Sequence, residues 1–242
     1  MSAVLLAAGC AGEGDACADW PTGLPPQVIA VVVDATDGLS GAQRADIWSR
    51  VRGVAEAAPA GSVFHLFEVR SEAPGGVREA ARIRRPPHPC EVSHWSDNPD
   101  QRAAQWAPLY LRPLRDALGS MSRAGPSDSS AILQGVQAAA RRFVDSGQGQ
   151  GHLILISDLM QNVGVDFYRG IPDFEGFRAT ALYREIQSRG LNGASLAVLQ
   201  LPPSREGLVD ETALRDFWSA FFTDQGAAGV DAAFVPVEGA RP

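Results

Sequence analysis

Gln27 to Ser40 reads QVIAVVVDATDGLS. Val28 to Val33 is an unbroken apolar run that ends in Asp34, Thr36 and Asp37 and then turns at Gly38. A continuous run of this kind, without alternation, is what a central strand needs when helices cover both faces of its sheet. Such a strand delivers its carboxylates and hydroxyl to the carboxyl end, where open α/β sheets bind ligands. A second run, His152 to Asp158 (HLILISD), ends the same way in Ser157 and Asp158. If the two strands are neighbours, Asp34 and Asp158 converge on one crevice.

Outward from this stretch the chain alternates between helical and extended patterns. Ser40 is placed to cap a helix in which Ile47, Val51 and Val54 share one face, and Pro59-Ala60-Gly61 stops it. Ser62 to Val69 is β-branched and aromatic, a second strand parallel to the first, with His65 expected as a satisfied core histidine. Ser71 to Gly76 is a turn, so Val77 to Ile83 is expected as an antiparallel edge strand guarded by Arg78, Arg82 and Arg84. The basic cluster Arg78 to Arg85 is read as a solvated edge, and Arg85 to Asp97 as a long irregular segment. Asn98-Pro99-Asp100-Gln101 signals a helix start, followed by an apolar face of Trp106, Tyr110, Leu114 and Ala117 with a kink expected at Pro113.

Ser127 to Ser130 opens the next helix, which carries Ile132, Val136, Ala140 and Phe143, and hydroxyls in that position are usually caps. Leu159 to Phe177 is expected as a Gly-rich, aromatic loop behind Asp158. Helices over Thr180 to Arg189 and Glu211 to Thr223, and strands over Ser195 to Leu201 and Phe234 to Val237, complete the pattern. These elements define an α/β fold: a doubly wound, Rossmann-like, mostly parallel six-stranded sheet with one antiparallel edge strand and helices on both faces.

The 242 residues, 45% apolar and 20% charged, suit one well-packed domain over residues 27–242, preceded by an N-terminal segment and Pro-rich lead-in over 1–26. A formal net charge of −7 gives no electrostatic footprint for nucleic acid. The chain has no GxSxG elbow, GxxxxGK[ST] loop or GxGxxG turn, and its four histidines form no evident acid/base pair. Catalysis is therefore the minority reading. Its best form is a Mg²⁺-dependent phosphohydrolase with Asp34 as nucleophile, although Thr36 stands where that chemistry wants a second Asp.

MSAVLLAAGC at the N-terminus resembles a lipoprotein signal peptide, with Ala8-Gly9 before Cys10. That resemblance implies a lipidated Cys10 and a bacterial cell-envelope location, the alternative being an Ala-rich tail and a cytoplasmic protein. With Cys10 so used, Cys17 and Cys90 are left as an even pair for one disulfide. A zinc site from His88, Cys90 and His94 is the weaker competitor, because it lacks a fourth ligand.

Asp34, Thr36 and Asp37, then Ser127 and Ser129, then Asp158, bring hard oxygen groups from three loops to one rim, a set suited to Mg²⁺, Mn²⁺ or Ca²⁺. Their order resembles a von Willebrand factor A (vWA) domain, whose metal-ion-dependent adhesion site combines a DxSxS loop, a later Thr and an Asp after the fourth strand. Asp34 matches the first Asp and Thr36 the first Ser. Gly38 stands where the second Ser belongs, with Asp37 or Ser40 as substitutes. Ser127 matches the Thr, and Asp158 the late Asp. The resemblance implies strand order 3-2-1-4-5-6 and a non-enzymatic module that binds a protein partner through a carboxylate completing the metal shell. The competing reading is that Asp34, Asp158 and Ser127 merely cap helices.

Overall fold

The computed structural model describes residues 23–34, 36, 38–71, 73–91, 99–123, 129–147, 151–187, 190–202, 210–230 and 233–238. Six strands form one sheet: β1 (Val28–Val33), β2 (Val63–Val69), β3 (Val77–Arg84), β4 (Gly151–Ser157), β5 (Ser195–Gln200) and β6 (Phe234–Pro236), in the order β3-β2-β1-β4-β5-β6. Every pairing is parallel except β2 with β3, so the protein is an α/β, Rossmann-like fold with one antiparallel edge strand. β1 is central, its six residues all buried, with Val33 opposite Ile156 of β4 and Glu68 of β2.

The unbroken apolar run of β1 is explained by its two faces. Val28, Ala30 and Val32 pack into a core built with α4 (Ile132–Ser146) and α7 (Glu211–Asp224). Ile29, Val31 and Val33 pack on the other side against α1 (Gly41–Ala57) and α3 (Arg112–Met121). Each valine or isoleucine so buried contributes about 1.5–3 kcal/mol, so a polar residue anywhere in the run would be costly. α1 starts as expected: the Ser40 hydroxyl accepts the Gln43 N–H at 3.2 Å while the Gln43 side chain accepts the Ser40 N–H at 2.9 Å.

Three expectations need correction. Arg85 is not solvated but fully buried, bonded to Glu91 at 2.6 Å and stacked over Trp106 at 4.6 Å, because β3 ends by turning inward. The irregularity assigned to Pro113 lies one turn earlier. Pro113 has no N–H to donate and its ring crowds the carbonyl four residues back, and the chain absorbs this in a π-helical turn, Ala107–Leu111, between α2 (Pro99–Trp106) and α3. Finally, residues 159–177 are not an open loop. Leu159, Met160, Phe167 and Phe177 are buried, a short helix α5 (Phe174–Arg178) forms, and Phe167 and Phe177 meet Phe217 edge-on at 4.8 and 5.1 Å. A second short helix, α6 (Ala181–Ile186), follows with Thr180 as its cap.

Cys90 is disulfide-bonded, which removes it as a zinc-binding thiolate. Its expected partner Cys17, the proposed lipid site Cys10, and His94 lie outside the described residues. His65 is the satisfied core histidine expected, bonded to Glu79 at 2.7 Å. Among the described residues, no helix is long and apolar enough to cross a membrane.

Candidate functional site

The site is built at the carboxyl ends of β1 and β4. Pairing continues one residue past β1, where the Asp34 N–H donates to the Ile156 carbonyl at 2.8 Å. Asp34 therefore lies beside Ser157, one residue before Asp158, and both aspartates emerge at the same end of adjacent parallel strands. Both are buried, at 2% and 5% exposure.

Asp34 Oδ2 accepts two hydroxyl hydrogen bonds, from Ser130 at 2.6 Å and Ser157 at 3.0 Å. Oδ1 is buried and accepts no hydrogen bond of normal geometry. Burial pushes the Asp34 carboxyl above its ordinary range, while Ser130, Ser157 and Thr36 favour the charged form and work the other way. A carboxylate in this position needs either a proton or a nearby cation.

The segment after β4 is pinned on several sides. Ser157 Oγ also accepts the Leu159 N–H at 2.8 Å, and Asp158 Oδ1 accepts the Met160 N–H at 3.0 Å. Leu159 has a left-handed φ of 68°, costly for a residue with a Cβ, and its carbonyl is held by the Trp218 indole N–H at 3.0 Å. Gln161 and Asn162 then reach across to the start of α4. Gln161 Oε1 accepts the Leu133 N–H at 2.9 Å, and Asn162 Oδ1 accepts the Ser130 N–H at 2.6 Å.

These contacts decide the role of Ser130. The N-cap is Ala131, which makes no side-chain cap, and the work is done by Gln161 from the loop after β4. Ser130 is thereby free to point at Asp34. Neither aspartate caps a helix in the way the competing reading required: α1 is capped by Ser40, and Asp158 closes a turn on its own strand exit.

Of the six residues expected to ligate metal, the structure brings Asp34, Thr36 and Asp158 to the rim. Ser129 is half-buried next to Ser130, which is the hydroxyl that reaches Asp34, while Asp37 and Ser127 lie outside the described residues. Gly38 adopts φ 73°, a conformation that disfavours the Ser of a complete DxSxS loop. Ser40 cannot readily substitute, since its hydroxyl is committed to α1. Sequence reading missed Ser130 and Ser157. The signal was present for Ser157, which stands one residue before Asp158 at the end of its strand, but three serines within Ser127 to Ser130 gave no means of choosing Ser130. Among the described residues, no three His, Cys, Asp or Glu side chains cluster as a metal site, so any cation here would depend on hydroxyls and two carboxylates. No family model matches the chain, and no curated protein matches it in sequence.

Proposed function

We propose that the protein is a non-enzymatic binding module, vWA-like in design, whose rim at β1 and β4 docks a partner protein with the help of a divalent cation. The observation that carries this reading is Asp34 Oδ1, a buried carboxylate oxygen without a hydrogen bond of normal geometry, surrounded by hydroxyls rather than by arginines. Its chemistry fits a hard cation such as Mg²⁺ or Mn²⁺, which Asp34, Asp158 and the hydroxyls of Thr36 and Ser130 would hold. Such an ion would supply a coordination position for a partner carboxylate, so recognition requires no proton transfer. The disulfide at Cys90 supports an oxidising compartment, in keeping with the proposed lipoprotein location in a bacterial envelope.

The phosphohydrolase reading is disfavoured by the same geometry. That chemistry wants a second Asp two residues after the nucleophile, where Thr36 stands, and Asp34 holds two serine hydroxyls on one oxygen. Thermal unfolding in rising Mg²⁺ or Mn²⁺ tests the proposal, since a ligand of the folded state alone stabilises by mass action, about 2.7 kcal/mol at one hundred times Kd. The melting temperature should rise with metal and Asp158→Ala should abolish the rise. An unchanged curve at millimolar metal would reject the cation-assisted site.

A further inference from the structure

α1 and α3 lie side by side on one face of the sheet and leave a groove between them. One end, about 500 Å³, is lined by Arg44, Trp48, Arg115 and Arg123; the other, about 390 Å³, is lined by Trp48, Arg52, Arg112 and Arg115. Trp48, Arg115 and Asp116 line both, so the two hollows adjoin. Among the described residues, five guanidinium groups and one carboxylate, Asp116, thus line the groove, in a chain whose formal net charge is −7. Arg52 is paired with Glu56 at 2.8 Å, and Arg44 donates to the Leu39 carbonyl. Arg112, Arg115 and Arg123 are exposed and make no ion pair among the described residues.

The shape of the groove narrows what it can take. From Arg112 to Arg123 the helix and its last turn span roughly 16 Å, at about 1.5 Å per residue. An extended chain covers that distance in about five residues. Arginine forks match carboxylates in a bidentate geometry, and Arg115 is backed by the Trp48 ring at 5.9 Å, which restricts where its head can sit. The floor is apolar, with Ile47, Leu111 and Leu118 beneath the charges. A bilayer surface is flat and would not reach into a hollow between two helices. The end carrying Gly41 and Arg44 lies at the start of α1, on the side of the sheet where β1 delivers Asp34.

We infer that the α1–α3 groove binds an extended acidic polypeptide segment carrying an apolar side chain between its carboxylates. The inference rests on the reading of the rim only in taking the partner to be a protein, and the groove acts without metal. A fluorescein-labelled peptide alternating three glutamates with two leucines, followed by fluorescence anisotropy in chelator, tests it. Saturable binding is expected at low ionic strength, weakening steeply as salt rises. The double variant Arg115→Glu/Arg123→Glu should bind at least tenfold more weakly, while Arg141→Glu, on α4 across the sheet, should leave binding unchanged. If the charge-reversed protein folds poorly, Arg115→Gln/Arg123→Gln serves in its place.

Equal binding by wild type and the double variant would overturn the proposal. So would binding that appears only when Mg²⁺ is added, which would place the peptide on the rim. Arginine-dependent association with phosphatidylglycerol vesicles, without binding of the peptide, would overturn it in favour of a lipid surface. A rim that fails to bind metal leaves the expected peptide result unchanged, so the two readings fail separately.

Discussion

A carboxyl group at 2% exposure, as at Asp34, makes protonation and folding a single problem. Burial raises its folded pKa above the ordinary 3.8, against the hydrogen bonds from Ser130, Ser157 and Thr36. The folded state then holds a proton that the unfolded chain releases. The resulting stabilisation is complete below about pH 3.8 and is lost as pH rises through the raised folded value. In chelator, Asp34→Asn should therefore gain melting temperature relative to wild type as pH rises from about 3.8 through the raised folded value, because the amide has no charge to bury. A difference independent of pH would show that the carboxyl is not perturbed. Gly38 gives a second test at this scale: Gly38→Ser would restore the missing hydroxyl of the motif but at φ 73°, and should cost about 1 kcal/mol in denaturant unfolding. The residue identities at positions 34, 36 and 158 were legible in the sequence because they follow apolar runs. The conformation at Gly38, which explains the departure from the motif, was not, since backbone sign is not written in a single glycine.

The elements fit closely enough that small changes should register. α4 crosses β1 at Gly135, where an added Cβ would stand 2.8 Å from a Val32 methyl. Gly135→Ala should destabilise by about 1–3 kcal/mol through overpacking, despite alanine's better helix propensity. A gain in stability would mean that the helix can move off the sheet without cost. The start of α4 is held from outside: Gln161→Ala leaves the buried Leu133 N–H without its acceptor and should cost about 1–3 kcal/mol. The same change should weaken metal-induced stabilisation, because Ser130 is positioned by this junction. The sequence revealed that a helix begins after Ser127 to Ser130, yet its hydroxyls read as caps. Only the loop after β4, folded back through Gln161 and Asn162, shows which serine is spared for Asp34. A side-chain contact between positions 133 and 161 depends on tertiary packing that local periodicity does not carry.

At the scale of the whole molecule, the antiparallel edge could be anticipated because a turn precedes β3 and its residues alternate, whereas the strand order was implied only by the resemblance to vWA domains. β1 is apolar on both faces, whereas β3 alternates half-buried with exposed residues along its length. Residues 159–177 resisted reading for the opposite reason. Their glycines and aromatics look like a loop, and become structure only against Phe217 and Trp218 of α7, about forty to fifty residues downstream. That packing fixes the segment behind Asp158. The most direct test of the account is Mn²⁺ binding followed by electron paramagnetic resonance, in which free ion gives a sharp signal and bound ion a broadened one. One Mn²⁺ should bind per wild-type chain, competed by Mg²⁺, lost in Asp34→Asn and weakened in Ser130→Ala. A free-ion signal unchanged by the wild-type protein at millimolar Mn²⁺ would contradict it.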